Sequence, residues 1–317
     1  MHLFADFNLP ARHLLERLDH LARSLSLPLG ESIRLQLRRR GLALPEAPGI
    51  QTVVFYLPFW AQDYLGGATE PAWLDDIAYA NACGALAVLI QDDVLDGEVA
   101  AQDIPEWLAT GNIFDMQSTL TYTRLFPAAS PFWEHFQQVR PREWAGLLLE
   151  RRRHWGQLAP FTDADIQLLG DKCSVGEISV AALALAAEMP EKREELVQMI
   201  RLAHIGVQFL DDLEDWRIDL QRGNYTPLIT RLAGADGLLK EEELALRLAS
   251  TSVAEDLLAE AEAFVGQAGR ALRPTPSPYL PAFLEMLTTR MRRAVEQLRT
   301  NRMEVLQRYT QQLLHLA

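Results

Sequence analysis

Apolar residues recur at spacings of three and four along almost the whole chain, which is the period of an amphipathic α-helix. Ala, Leu, Glu and Arg dominate the sequence, and these residues favour helices. Alternating runs of Val, Ile and Thr, which are typical of strands, are scarce. We therefore predict an all-α fold, which breaks rich in Gly and Pro divide into roughly eight to ten helices.

The predicted breaks are short, and the strongest low-complexity segment is the proline-rich run from Pro274 to Pro278. No break resembles a long flexible linker, and no repeat of about 20 to 50 residues is visible. Hydrophobic residues make up 49% and charged residues 23%, as in ordinary globular proteins. We therefore predict one large helical domain over residues 1–317.

The formal net charge of −13 disfavours nucleic acid and anionic membranes as main partners, because both attract clustered Lys and Arg. The longest apolar run, Ile77 to Ile90, contains Asn81 and is too short to span a bilayer, so we predict a core helix and no integral membrane segment. No secretory signal is visible at the first residues, so we expect a cytoplasmic location. Cys83 and Cys173 have no CxxC partner and are predicted to be reduced thiols, with no zinc site.

The first acidic stretch, Asp92-Asp93-Val94-Leu95-Asp96, lies at the end of a predicted helix. At about 100° per residue, its three Asp side chains fall within one sector of about 100°. An apolar wall precedes them on the same face, which is unusual for a solvent-facing helix. That wall consists of Ala82, Ala85 and Leu89.

The second acidic stretch, Asp211-Asp212-Leu213-Glu214-Asp215, lies on another predicted helix. Asp211, Asp215 and Asp219 are spaced i, i+4, i+8 on one narrow stripe, with Asp212 beside them, and Gln208 and His204 extend this stripe towards the N-terminus. The opposite face is predicted to pack in the core. It carries Phe209, Leu213, Trp216 and Leu220.

Like charges at i, i+4 each destabilise a helix by roughly 0.2–0.5 kcal/mol, so a cation near these stripes would offset a real penalty. Mg²⁺ is the natural candidate, because it takes carboxylate, water and phosphate oxygens. The alternative is that both stretches are solvated acidic faces of a protein that scaffolds or binds cations without catalysis. Neither stretch has the glycine-centred pattern of an EF-hand calcium loop.

The two stretches resemble the motifs of the isoprenoid synthase superfamily. Asp92 to Asp96 matches its first DDxxD motif, and Asp211, Asp215 and Asp219 have the spacing of the metal-binding triad of bacterial terpene synthases, although all three are Asp here. The wider segment from Gln208 to Tyr225 is similar to the second motif of squalene/phytoene synthase-like and polyprenyl synthase-like proteins. The resemblance implies a single helical bundle with a central apolar cavity and a trinuclear Mg²⁺ cluster that forms when diphosphate is bound.

Three absences narrow the resemblance. Chain-elongating synthases carry an Arg-Arg pair soon after the first motif, but Gly97 to Gln102 contains no Arg, so elongation is disfavoured. No DxDD motif is present, which disfavours class II cyclisation by protonation. Only part of the Arg-Gly-Arg-x-Tyr stretch of squalene and phytoene synthases is kept, at Arg222 to Tyr225. We therefore interpret the second motif as the Asp211 stripe and favour a terpene synthase.

Candidate diphosphate contacts follow from the same resemblance. Lys172 begins a Lys-x-x-x-Gly pattern with Gly176 on a predicted helix between the two motifs, and it resembles the diphosphate-binding Lys of prenyl synthases. Arg308 and Tyr309 resemble the terminal Arg-Tyr pair of bacterial terpene synthases. Arg222 lies on the Asp219 side of its helix and is a further candidate, although each of these residues would also fit an ordinary helix surface.

The resulting hypothesis is a Mg²⁺-dependent class I terpene synthase that ionises a prenyl diphosphate and yields a hydrocarbon or an alcohol. The alternatives are a squalene/phytoene synthase-like transferase that couples two prenyl diphosphates, and the non-catalytic protein described above. The sequence leaves open the length of the substrate, its prior cyclisation, the product, the terminating step and the oligomeric state, for which a homodimer is possible. It also leaves open whether a class II cyclase or a prenyl synthase acts upstream. The predicted catalytic residues are Asp92, Asp96 and Asp215, and the predicted metal ligands are Asp92, Asp93, Asp96, Asp211, Asp212, Asp215 and Asp219.

Overall fold

The computed structural model describes residues 8–42, 50–154, 158–234, 237, 240–274 and 276–316. Side chains are described for residues 12–42, 53–149, 158–234, 237, 240–274 and 276–302. All structural statements below refer to these residues.

Thirteen α-helices and no strand are present in the described residues, which confirms the predicted all-α fold. The count exceeds the predicted eight to ten because some helices end without a Gly or Pro signal, as at Lys172 and Cys173. The helices are α1 Asn8–Ser24, α2 Leu27–Arg39, α3 Ile50–Tyr64, α4 Pro71–Leu95, α5 Ile104–Leu125, α6 Pro131–His154, α7 Asp163–Asp171, α8 Ser174–Ala186, α9 Pro190–Arg222, α10 Pro227–Ala233, α11 Glu241–Ser250, α12 Val253–Ala271 and α13 Tyr279–Leu316.

The chain divides into two compact units, and each is built from separate segments of the sequence. The first unit comprises Met1–Glu143, Cys173–Ile200 and Ala271–Phe283. The second comprises Trp144–Lys172, Arg201–Arg270 and Leu284–Ala317. The predicted single domain stays a prediction.

The first unit is organised around α4, which packs against α3, α5 and α8. Every residue from Ile77 to Ala87 is buried. Small residues let the neighbouring helices approach closely: a Cβ atom added at Gly84 would lie 2.9 Å from Val175 of α8. Among the described helices, α4 alone is long and apolar enough to cross a bilayer, but 72% of its most apolar stretch is buried, so it is a core helix as predicted.

The second unit contains the C-terminal part of α9, whose predicted core face is confirmed for Phe209, Leu213 and Trp216. Phe209 meets Phe264 of α12 edge to face, with the ring centroids 6.1 Å apart. Gly206 precedes Phe209 by about one turn of the same helix and lies against α12 and α13. A Cβ atom there would lie 2.7 Å from Val265, 3.1 Å from Met291 and 3.2 Å from the Ala261 carbonyl oxygen.

We expect Gly206→Ala to destabilise the protein by about 1–3 kcal/mol, because the added methyl group overpacks the α9 contact with α12 and α13. The matched control is Gly266→Ala in α12, where a Cβ atom meets only the end of the Arg270 side chain at 3.6 Å. That change should stabilise the protein by about 0.5–1 kcal/mol through helix propensity. Thermal and denaturant unfolding measure both, and equal effects of the two substitutions would contradict this packing argument.

Candidate functional site

The first acidic motif forms the last turn of α4. Asp92 and Asp93 lie within the helix, and Asp96 is its C-cap residue. The chain leaves the helix through Gly97, whose φ of +74° favours glycine. The Glu98 N–H donates to the Asp93 carbonyl oxygen at 2.9 Å and closes this end. All three Asp residues are partly buried and lie at this end of the helix, as the sequence predicted.

The position of this motif is electrostatically unfavourable in the absence of a cation. The C-terminal end of a helix carries a partial negative charge, which favours Lys or Arg in the last turn and disfavours carboxylates. The last turn of α4 contains no basic residue and carries Asp92, Asp93 and Asp96 at its end. A cation bound there would interact favourably with the carboxylates and with the helix dipole at once.

Asp93 already has a cationic partner within the protein. Arg40, the C-cap residue of α2, donates from Nη2 to Asp93 Oδ2 at 2.6 Å. The Arg40 side chain is only 5% exposed and the Asp93 side chain 16%, so the pair is largely shielded from water. Burial raises the pKa of Asp93, and the Arg40 guanidinium opposes that rise. Asp93 therefore has a protein contact of its own, and its predicted role as a metal ligand stays a prediction.

The second acidic motif lies inside α9, in the second unit. Asp211, Asp212 and Asp219 are partly buried, whereas Asp215 is exposed. Leu213 and Trp216 are buried on the other side of the helix and fix its rotation, as the sequence predicted. The motif is thus held by a packed helix and not by a loop.

Asp211 is the most perturbed acid of the second motif. Burial is the largest cause that raises its pKa to about 7, and the carboxylates of Glu214 and Asp215 raise it further. Arg290 and Lys172 act in the opposite direction. Arg290 donates to both Glu214 carboxylate oxygens, at 2.8 and 3.0 Å, so its charge is engaged with that neighbour. The environment of Asp211 therefore favours a nearby cation.

Lys172 lies at the C-cap of α7 and not within a helix, which corrects the predicted position. The helix ends there because the Lys172 N–H turns back to the Leu169 and Gly170 carbonyl oxygens. Lys172 is close enough to Asp211 to lower its pKa, so the structure places this predicted diphosphate contact near the second motif. It is also close to His204, whose pKa is lowered to about 3, chiefly by burial, so that the imidazole is neutral.

The other predicted diphosphate contacts are Arg222, Arg308 and Tyr309. Arg222 is exposed and is the last residue of α9. Arg308 and Tyr309 belong to α13, but their side chains lie outside the described residues. In the described part of the chain, no three His, Cys, Asp or Glu side chains are already grouped as a metal site.

A polar cluster that the sequence did not indicate lies inside the first unit, around Arg140 of α6. Arg140 donates to Asp115 of α5 and to Glu143. Burial raises the pKa of Glu143 to about 7, and the Arg140 charge opposes this rise. Beside this cluster is a small cavity with room for roughly one water, onto which the buried Tyr122 also opens. Only the i, i+3 spacing of Arg140 and Glu143 was visible in the sequence, and that spacing is common on helix surfaces.

Comparison with known proteins identifies the fold. No protein-family model and no curated protein matches the sequence. A polyprenyl synthase from Caulobacter crescentus CB15, complexed with calcium and isoprenyl diphosphate, is 16% identical, with a TM-score of 0.71 over 91% of this chain and 96% of that chain. A geranylgeranyl pyrophosphate synthetase from Pyrococcus horikoshii Ot3 is 15% identical, with a TM-score of 0.69 over 91% and 97%. A heptaprenyl diphosphate synthase from Staphylococcus aureus is 14% identical, with a TM-score of 0.66 over 89% and 97%.

The chain therefore has the isoprenoid synthase fold, which confirms the resemblance drawn from the acidic motifs. At these identities the likeness concerns the fold. The reaction has to be argued from the residues themselves.

The Glu143 carboxyl should make stability depend on pH. Its pKa is about 7 in the folded protein against an ordinary value of 4.5, so folding is favoured while Glu143 is protonated. We expect the Glu143 carboxyl alone to account for a loss of about 1–3 kcal/mol of stability as the pH rises from 4.5 to 7. Glu143→Gln should flatten this loss, whereas Glu134→Gln, an exposed acid of the same helix, should not. Urea unfolding at several pH values measures the slope, and an unchanged slope in Glu143→Gln would contradict the assignment.

Proposed function

We propose that this protein is a Mg²⁺-dependent class I enzyme that ionises a prenyl diphosphate. The observation that carries the proposal is the concentration of Asp92, Asp93 and Asp96 at the negative end of α4, with no basic residue in its last turn. The helix dipole disfavours carboxylates at this end, and bound cations would interact favourably with the dipole and with the carboxylates. The isoprenoid synthase fold supports the proposal, and so does the structural relative that was obtained with calcium and isoprenyl diphosphate.

The residues of both motifs fit Mg²⁺ chemically. They are hard oxygen donors, and Mg²⁺ is usually held by one or two carboxylates per ion together with waters and substrate phosphates. Asp92 and Asp96 of the first motif would serve as ligands, as would Asp211, Asp212, Asp215 and Asp219 of the second. When bound, Mg²⁺ acts as a Lewis acid that draws negative charge from the leaving diphosphate.

Several side chains of the chain itself would assist this chemistry. Lys172, which lies near Asp211, would neutralise part of the diphosphate charge. The neutral imidazole of His204 adds no positive charge beside Lys172, because its pKa is far below neutrality. Apolar residues below the first motif, such as Ala85, would keep water away from a carbocation.

We favour a terpene synthase that converts a single prenyl diphosphate to a hydrocarbon or an alcohol. The segment after the first motif lacks the Arg pair that a second diphosphate substrate would need, and its Glu98 adds negative charge instead. Chain elongation is the second candidate, because the structural relatives named above are prenyl synthases. Coupling of two prenyl diphosphates is the third, and it is supported only by the partial match at Arg222 to Tyr225.

Product analysis distinguishes these reactions. The protein is incubated with Mg²⁺ and C10, C15 or C20 prenyl diphosphates, each with and without isopentenyl diphosphate, and the products are identified by mass spectrometry. We expect diphosphate release and a terpene with an unchanged carbon skeleton. A longer prenyl diphosphate would indicate elongation, and a doubled skeleton would indicate coupling. No diphosphate release from any substrate, in a folded preparation, would favour the non-catalytic alternative or a pre-cyclised substrate.

We expect Asp92→Asn and Asp215→Asn to reduce turnover by on the order of a hundredfold or more, because each removes a carboxylate that stabilises charge in the transition state. The same variants should lose most of the thermal stabilisation that Mg²⁺ and inorganic diphosphate give together. In the wild type this amounts to about 2.7 kcal/mol when free ligand is 100 times Kd. Glu243→Gln, an exposed acid of α11, is the matched control. Full activity and a full thermal shift in both Asp variants would refute the metal-binding role.

A further inference from the structure

The end of α2 is held in a defined conformation next to the first acidic motif. Gly41, with a φ of +64°, ends the helix, and the Leu42 N–H donates to the Leu37 carbonyl oxygen at 3.0 Å. Leu42 is buried behind this turn. These contacts fix the backbone of Arg40, which immediately precedes Gly41. The side chain of Arg40 extends from this turn to Asp93.

Arg40 is the last member of a buried polar stripe on α2. Ser32, Gln36 and Arg40 are spaced i, i+4, i+8. Ser32 is 2% exposed and Gln36 is 0% exposed, and the side chain of Arg40 is 5% exposed. The stripe meets α5 at Ser32, whose hydroxyl accepts from Thr110 at 2.8 Å. An arginine is rarely buried this far unless a carboxylate compensates its charge, and that carboxylate is Asp93.

The neighbouring Arg39 is at the same helix end but remains exposed to solvent. Its side chain is 43% exposed, its guanidinium lies 4.8 Å from the ring centroid of Trp107, and it is 3.4 Å from Glu98. Arg39 and Arg40 carry the same charge on adjacent residues, but only Arg40 is buried against the motif. The two residues thus form a natural matched pair for experiment.

We propose that Arg40 is a positioning residue for the first motif. Its ion pair with Asp93 fixes the last turn of α4 to the end of α2, so that Asp92 and Asp96 are held ready to bind the metal. Asp93 then serves as the anchor of the motif and not as a metal ligand. The metal part of this inference rests on the proposed function, whereas the anchoring part does not.

The alternative, in which Asp93 is a metal ligand, predicts the opposite effect of removing Arg40 on the affinity for Mg²⁺. If Asp93 is a metal ligand and Arg40 only occupies it in the metal-free protein, removal of Arg40 releases a carboxylate for Mg²⁺ and strengthens metal binding. If Arg40 is an anchor, its removal loosens the last turn of α4 and weakens metal binding. The sign of the change in Mg²⁺ affinity therefore decides between the two.

The first experiment is a calorimetric titration of the full chain with Mg²⁺ in the presence of inorganic diphosphate. We expect Arg40→Met to raise the apparent Kd for Mg²⁺ by about 10- to 100-fold, as is usual for residues that orient metal ligands. Arg40→Lys should recover much of the affinity, because the single contact to Asp93 requires a charge more than a planar fork. Arg39→Met controls for the loss of one nearby positive charge. Binding by Arg40→Met that is as tight as that of Arg39→Met, or tighter, overturns the proposal.

The second experiment measures unfolding in EDTA for Arg40→Met, Asp93→Asn and the double variant. An anchoring pair predicts that the double variant loses about as much stability as one single variant, because the first substitution already breaks the contact. Additive losses would overturn the anchor. If the wild type binds no Mg²⁺ with diphosphate, the proposed function fails together with the metal part of this inference, and the EDTA measurements alone decide the anchor.

Discussion

The structure of the first unit depends on the burial of α4. This helix is buried on every side from Ile77 to Ala87 and is mostly apolar there, so it is stable only when other helices enclose it, as α3, α5 and α8 do. Gly84 and the alanines around it keep those helices close. The backbone at the end of such a helix is held in place by the packing of the helix in the core. The acidic motif is located at the end of α4, so its carboxylates are carried by a helix whose central part is packed in the core.

Burial raises the pKa of Asp93 in the first motif and of Asp211 in the second, and the protein places arginines beside some acids of these motifs. Some acids receive an arginine, as Asp93 does from Arg40 and Glu214 from Arg290. Others retain an unfavourable environment, as the raised pKa of Asp211 shows. A chain with a net charge of −13 could have spread its acids over solvated surfaces at little cost. Because they are concentrated on two packed helices, we interpret both motifs as cation sites and not as solvated acidic surfaces.

Sequence reasoning succeeded where the signal is local. The 3.6-residue period identified the helices, and the spacing of Phe209, Leu213 and Trp216 identified the core face of α9. It failed where a partner comes from a distant segment. Arg40 and Asp93 are 53 residues apart, and Arg140 and Asp115 are 25 apart, so no periodicity connects them. The helix boundary at Lys172 was missed because neither Lys172 nor Cys173, the two residues between α7 and α8, is a Gly or a Pro.

The fold alone does not determine the reaction, because a single fold can host different activities and the function has to be argued from the site. The decision lies in the number of diphosphates that the site must neutralise. A second diphosphate adds negative charge, which a protein meets with further Arg or Lys residues beside the first motif. Here the residues that follow the motif are Gly97 and the acidic Glu98, and the arginines nearby are already engaged, Arg40 with Asp93 and Arg39 with Glu98 and Trp107. The balance of charge around α4 is therefore the reason that our proposal involves one diphosphate and not two.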